Sequence, residues 1–171
     1  MKRMMMAVFG LALFAGIGCG NSSLSYRLVA DKFGFSVALP EKPIEETSLN
    51  DEGLPQTSWT ISHEQVVSKI YYHVQATTYK EVLNPDDELV PNEALLALNG
   101  IKMIENRRFK LIAKTTGRQV DAMTTISRET ATGVTISSTY VVDGHNMFSI
   151  STRINDAGQA ALFLGSLTLI R

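Results

Sequence analysis

Residues 57–63 read TSWTISH and residues 69–78 read KIYYHVQATT, and these two stretches decide the fold. On the first, Trp59 and Ile61 fall on one side, opposite Ser58, Thr60 and Ser62. On the second, Ile70, Tyr72, Val74 and Ala76 share a side, opposite Lys69, Tyr71, His73 and Gln75. Side chains alternate across a strand with a period of two. The pattern therefore predicts an antiparallel hairpin with one packed face and one wet face.

The same alternation recurs on both sides of the hairpin. Upstream, Phe33, Phe35, Val37 and Leu39 share a face, and the run stops at Pro40, which has no N–H to give a ladder. Glu41-Lys42-Pro43 makes a turn, residues 44–49 carry only a weak pattern, and Asn50-Asp51-Glu52-Gly53 marks another turn. Downstream, Asn84-Pro85-Asp86-Asp87 reads as a helix start, with an N-cap, proline at the first position and acids in the first turn. Pro91 removes a hydrogen bond from any continuous helix there, so a turn near 85–89 and a main helix from Pro91 are expected. Ala94, Ala97, Leu98 and Ile101 would form its apolar stripe and Asn99-Gly100 its cap, with an end at either Leu98 or Glu105.

Residues 109–114, 119–127, 134–142 and 147–154 read as further strands, with Val120, Ala122, Thr124 and Ile126 in phase. Asp143-Gly144-His145 is a hairpin signal between the last two. Asn155 is the expected cap of a short helix in which Ala157, Ala160, Ala161 and Leu164 share a face, and the chain closes on apolar Leu167–Ile170. Hairpins dominate over βαβ alternation. The expected class is α+β, an antiparallel sheet with helices packed on it.

Composition narrows the function classes. A chain of 171 residues with 16 Lys+Arg against 17 Asp+Glu is sized for one domain and lacks the net positive charge of a nucleic-acid binder. Its single cysteine excludes an internal disulfide framework and a multi-cysteine zinc site.

The amino terminus carries an address. Lys2-Arg3 precedes an apolar run from Met4 to Ile17, and polar Asn21, Ser22 and Ser23 follow. A basic start, a short apolar core and small residues before a cut are the layout of a secretory signal peptide, and the run is too short for a membrane-spanning helix. Ala15-Gly16-Ile17-Gly18-Cys19 resembles the lipobox of bacterial lipoproteins, although Gly16 stands where that family normally has leucine. The resemblance implies a diacylglycerol thioether and an acyl (palmitate-type) chain on Cys19, an anchor firm enough to hold because each buried methylene contributes ~0.8 kcal/mol. Neither Gly20 nor Asn21 is the aspartate that signals inner-membrane retention in that family. The expected location is the cell envelope, with the outer membrane facing the periplasm favoured. Residues 1–18 are then signal peptide, 19–31 the lipidated cysteine and a flexible spacer, and 32–171 the globular domain. Loss of Lys2 and Arg3 leaves 14 basic residues against 17 acidic ones, a net of −3.

Chemistry-bearing motifs are sparse. His63, His73 and His145 have no metal-ligand spacing, so no metal site is expected. Ser137, Thr139, Ser149 and Ser151 lie on strands without a nucleophile-elbow motif. Glu45-Glu46, Asp51-Glu52 and Asp86-Asp87-Glu88 lack a calcium-loop pattern, and no glycine-rich phosphate cradle is present. Neither an enzyme nor a cofactor is expected. Arg107, Arg108 and Lys110 form a basic cluster suited to an acidic partner or lipid headgroups, or to guarding a strand edge. Tyr71 and His73 on the wet side of the hairpin are a second candidate partner surface.

Several motifs together resemble the PsbP-like group, which includes an extrinsic photosystem protein, nuclear Ran-binding relatives and bacterial exported proteins. They are Gly34-Phe35-Ser36-Val37 running into Leu39-Pro40-Glu41-Lys42-Pro43, a central helix, Gly117-Arg118 opening a strand, and Phe163-Leu164-Gly165-Ser166-Leu167. The resemblance spans most of residues 33–170. It implies an α/β/α sandwich around an antiparallel sheet, used mainly for docking or accessory roles, and it brings no catalytic residues. The expected function is a non-enzymatic binding or accessory module for an envelope protein or assembly. The alternative is a small-ligand carrier or sensor with a pocket between sheet and helix.

Overall fold

The computed structural model describes residues 23–64 and 69–171. The expected signal peptide and Cys19 therefore lie outside the described residues. Ten strands and three helices follow in the order β1 (Tyr26–Ala30), β2 (Phe35–Leu39), β3 (Ile44–Leu49), β4 (Pro55–Glu64), β5 (Lys69–Thr78), α1 (Pro85–Glu88), α2 (Glu93–Leu98), β6 (Ile101–Ile112), β7 (Gln119–Glu129), β8 (Thr135–Asp143), β9 (Asn146–Arg153), α3 (Ala157–Gly165) and β10 (Thr168–Leu169). Seven strands form one antiparallel sheet in the order β3-β4-β5-β9-β8-β7-β6. The remaining three form a small sheet, β1-β2-β10.

The small sheet and α3 cover one face of the large sheet, here called the inner face. Phe35 is the pivot of that interface. It stacks on Phe148 at 4.4 Å between ring centroids and meets Trp59 edge-on at 6.2 Å. Val37 and Leu39 continue the apolar side of β2, and Val74, Ile150 and Val141 answer from the large sheet, all fully buried. Burying each such side chain contributes about 1.5–3 kcal/mol, so this layer dominates stability. Phe33 turns back onto Trp59 from the tight 31–34 turn, where Gly34 takes φ +77°. The positive φ favours glycine there, and a Cβ would also meet the flexible Arg171 side chain at 3.2 Å, which would have to give by a few tenths of an ångström. Gly144 also has positive φ, at the first central position of the two-residue β8–β9 loop, as a type II′ hairpin turn demands.

Five expectations change. First, the stretch read as spacer contributes β1, which pairs with β2 and buries Leu28 and Ala30. The domain therefore begins before residue 32. Second, residues 44–49 form a paired edge strand, β3, although every residue of it is exposed. Third, the main helix is short. α2 spans six residues, buries none of them, and ends at Asn99-Gly100, where Gly100 takes φ +68°. Ile101 does not extend its stripe but starts β6, a 12-residue strand. An irregularity between Met103 and Glu105 shifts the register of β6 by one residue. That shift splits its alternation into two short runs of opposite phase, which hides the strand from a period-two reading.

Fourth, α3 is capped by Asp156, whose carboxylate accepts from the Gln159 N–H at 3.0 Å, while Asn155 accepts instead from the Thr135 N–H. Its buried residues are Ala160 and Phe163, with Ala157 and Ala161 exposed. Phe163 meets Tyr72 edge-on at 5.1 Å, which fixes the helix on the inner face. Fifth, the balance of the fold shifts. It is mostly antiparallel β, with few and short helices, rather than a sheet clad in helices on both sides.

A candidate binding site on the outer face

The opposite, outer face of the large sheet is unevenly covered. Over β6, β7 and β8 it meets the segment carrying α1 and α2; over β4, β5 and β9 its side chains are polar and open. Two short helices close together need local capping, and each has an asparagine. The Asn84 side chain accepts from the Asp86 N–H, and Asn92 from the Leu95 N–H at 2.9 Å. One plug anchors the segment to the sheet. Leu89 is fully buried in a small cluster with Met123 and Val142. The Arg108 guanidinium holds the plug by donating to the Leu89 carbonyl at 2.8 Å and to the Asp86 carboxylate at 2.6 Å.

Beyond the plug, the segment stands off the sheet. Leu96 faces inward, but Leu95 is 54% exposed and Leu98 85% exposed, with Val90 also open. A half-open cavity of about 310 Å³ lies beneath. Its walls are Leu95, Leu96, Ile101, Met103, Met123 and Met147, and its floor carries Thr125, Ser127, Ser138 and Tyr140. The three small hydroxyl residues are buried as whole residues, but their oxygens open onto the cavity and make no side-chain hydrogen bond among the described residues; no fully buried polar side-chain atom there lacks a partner. Apolar walls with a few convergent polar groups are the ordinary make-up of a small-molecule site. Three methionines let the walls adapt, because the unbranched thioether chain repacks cheaply. Glu88 is the sole charged residue of the lining.

The residues singled out in the sequence fall in three places. Tyr71 and His73 do share a patch, a shallow depression with Thr60, Ser62 and Ser151 on the open half of the outer face. His73 Nδ1 is 3.0 Å from the Thr60 hydroxyl and its Nε2 is 3.3 Å from Gln75 Oε1, so both ring nitrogens are engaged. Burial pushes the Tyr71 phenol above its ordinary pKa, and the Arg153 guanidinium nearby opposes the rise. Arg153 itself forms a bidentate pair with Glu129 at 2.6–2.7 Å. Those hydrogen bonds and one from Thr132 hold Glu129 at about 2, well below its ordinary 4.5.

The basic cluster lies on β6, four strands away from β5, and does not converge. Arg108 and Lys110 project to the outer face, where Arg108 clamps α1 and Lys110 pairs with Asp121 at 2.5 Å. Arg107 projects to the inner face beside Glu105 and Phe109. His63 lies 3.4 Å from Glu41, apart from His73, and His145 occupies the β8–β9 turn. Among the described residues there is no group of three or more His, Cys, Asp or Glu side chains able to hold a metal. No helix among them is long and apolar enough to cross a membrane.

Sequence reasoning missed the cavity and its floor. Thr125, Ser127 and Ser138 read as ordinary strand hydroxyls, because nothing local says which face an unexpected helical segment will shelter. A legible signal was the leucine-rich run 95–98 placed between Pro91 and Gly100, too short to form a full core helix.

No family model matches the chain, and none of the curated proteins is similar to it in sequence. In three dimensions it is similar to the solution structure of cyanobacterial PsbP (CyanoP) from Synechocystis sp. PCC 6803. That likeness has a TM-score of 0.50 at 9% identity, over 89% of this chain and 97% of the cyanobacterial one. At this identity the fold is what the two proteins share.

Proposed function

We propose that this chain is an exported lipoprotein, tethered to the cell envelope through Cys19, whose domain is a non-catalytic binding module for another envelope protein or assembly. One observation carries the binding role. α2 presents Leu95 and Leu98 to solvent beside an apolar cavity, and monomeric domains seldom leave adjacent apolar groups uncovered without an interaction to make. The PsbP-like fold supports the reading, since the sequence resemblance to that group implies accessory rather than catalytic work. The leader and its single cysteine support the address.

A photo-activatable residue at Leu98, introduced into the protein in its native envelope, tests the binding role. Reproducible adducts at Leu98 and none from a control position at Glu46 on β3 are expected; equal adducts from both, or none, would refute it. The anchor has a separate test. Cys19→Ser should leave the protein without lipid and release it from membranes, whereas membrane retention without lipid would refute the tether.

A second reading, a small-ligand carrier or sensor, is favoured by the cavity itself. A volume of about 310 Å³ with open hydroxyls on its floor suits a small guest as well as a partner's side chain.

A further inference from the structure

The cavity and the Tyr71–His73 depression are two ends of one surface. Strand pairing aligns Asn106 with Thr125, Thr125 with Ser138, Ser138 with Ser151, Ser151 with His73, and His73 with Thr60. All six project to the outer face, so a single polar row crosses six strands from β6 to β4. Neighbours in such a row stand about 4.5–5.5 Å apart. Thr125 and Ser138 lie in or at the cavity, whereas Ser151 and His73 lie in the open depression.

Three of these hydroxyls, on Thr125, Ser138 and Ser151, make no side-chain hydrogen bond among the described residues and open onto the cavity or the depression. Two tyrosines border the row, Tyr140 beside Ser138 at the cavity end and Tyr71 beside His73 at the other. Neither lining contains Lys or Arg, and Glu88 disfavours an anion at the cavity. Arg153, which flanks the row, is already occupied by Glu129.

We infer that the outer face is a binding site for an uncharged amphipathic molecule. Its apolar end enters the cavity under α2, and its hydroxyl- or ether-bearing end lies along the Ser138–Ser151–His73 row between the two tyrosines. The inference rests on the carrier reading of the cavity and adds the ligand class. At the ~30 Å³ that one water occupies in the liquid, the cavity takes about ten non-hydrogen atoms, the size of a short alkyl chain. The hydroxyl row supplies both donors and acceptors, which matches a neutral polyol better than a carboxylate or an ammonium. Tyrosine faces suit the C–H surfaces of a sugar-like ring.

The full chain, titrated by NMR with monomeric n-octyl-β-D-glucoside, 1-octanol, octanoate and glucose, tests this. The glucoside should bind about tenfold more tightly than octanol, the yield of one or two hydrogen bonds, and octanoate and glucose more weakly than either. Met123→Trp should fill the cavity and weaken both alkyl probes about tenfold or more. Ser151→Leu, at the open end, should bring the glucoside down to the affinity of octanol and leave octanol unchanged. If glucoside and octanol bind equally and Ser151→Leu is silent, the inference fails while the carrier reading stands. Octanoate binding as tightly as octanol overturns the uncharged class. If no alkyl probe binds, both the inference and the carrier reading fall.

Discussion

The two faces of the seven-stranded sheet are built on opposite terms. The inner face is closed by aromatic rings in direct contact, with Phe35, Phe148 and Phe163 fully buried. The outer face is met by two helical turns that bury none of their own residues and are anchored by the Leu89 plug and the Arg108 clamp. One face is spent on stability and the other is left with open apolar and hydroxyl surface. Regions with few buried contacts open at low free-energy cost, which is where binding segments are found. The contrast fits the proposal that the inner face serves folding and the outer one binding.

Attacking the inner face should produce the largest effect. Phe35→Ala removes a ring packed on Phe148 and Trp59 and should destabilise the domain by about 3–5 kcal/mol in denaturant titration. A loss below ~1 kcal/mol would mean that the small sheet is not integral to the core.

The Glu129–Arg153 pair lies on the outer face yet belongs to stability, so it sharpens the boundary. Glu129 is held at about 2 against an ordinary 4.5. Its contribution is present in full above the unfolded value near 4.5 and is lost as pH falls through about 2. Glu129→Gln should cost about 2–3 kcal/mol at neutral pH, part of it from leaving the buried Arg153 without its carboxylate. The variant should also flatten the acid limb of stability between those two pH values. An unchanged acid limb would show that the pair is screened by solvent.

A smaller and more local effect is expected at Asn92. Replacing it with alanine removes the cap on the Leu95 N–H, worth about 1 kcal/mol to α2. Hydrogen exchange should speed up for the α2 amides while β5 and β9 keep their protection. Acceleration in all three would join the two faces into one cooperative unit and break the comparison.

The inner face and the open half of the outer face were legible in the sequence, and the cavity beneath α2 was not, for a physical reason. Phe35, Val37 and Leu39, or Trp59 and Ile61, declare their side by alternation, although inner-facing Ser137, Thr139 and Thr152 are buried hydroxyls that carry no such signal. The outer face needs no such regularity. Thr125 and Ser138 are small enough to pass as wet strand positions, and only the placement of α2 converts them into a cavity floor. The bulge after Met103 erased the period of β6 and lent Ile101 to a helix that ends before it. Position 156 rather than 155 caps α3 because the Asn155 side chain is drawn to the Thr135 N–H. Within the basic cluster, alternation itself sends Arg107 to the face opposite Arg108 and Lys110.

The most direct test is the double variant Leu95→Ser/Leu98→Ser, read for thermal stability and for cross-linking from a probe at Val90, which lines the same cavity. Both leucines are more than half exposed, so unfolding should shift by no more than about 0.5 kcal/mol. Envelope adducts from Val90 should fall sharply at the same time. Retained adducts in a variant of unchanged stability would contradict the assignment of recognition to this face.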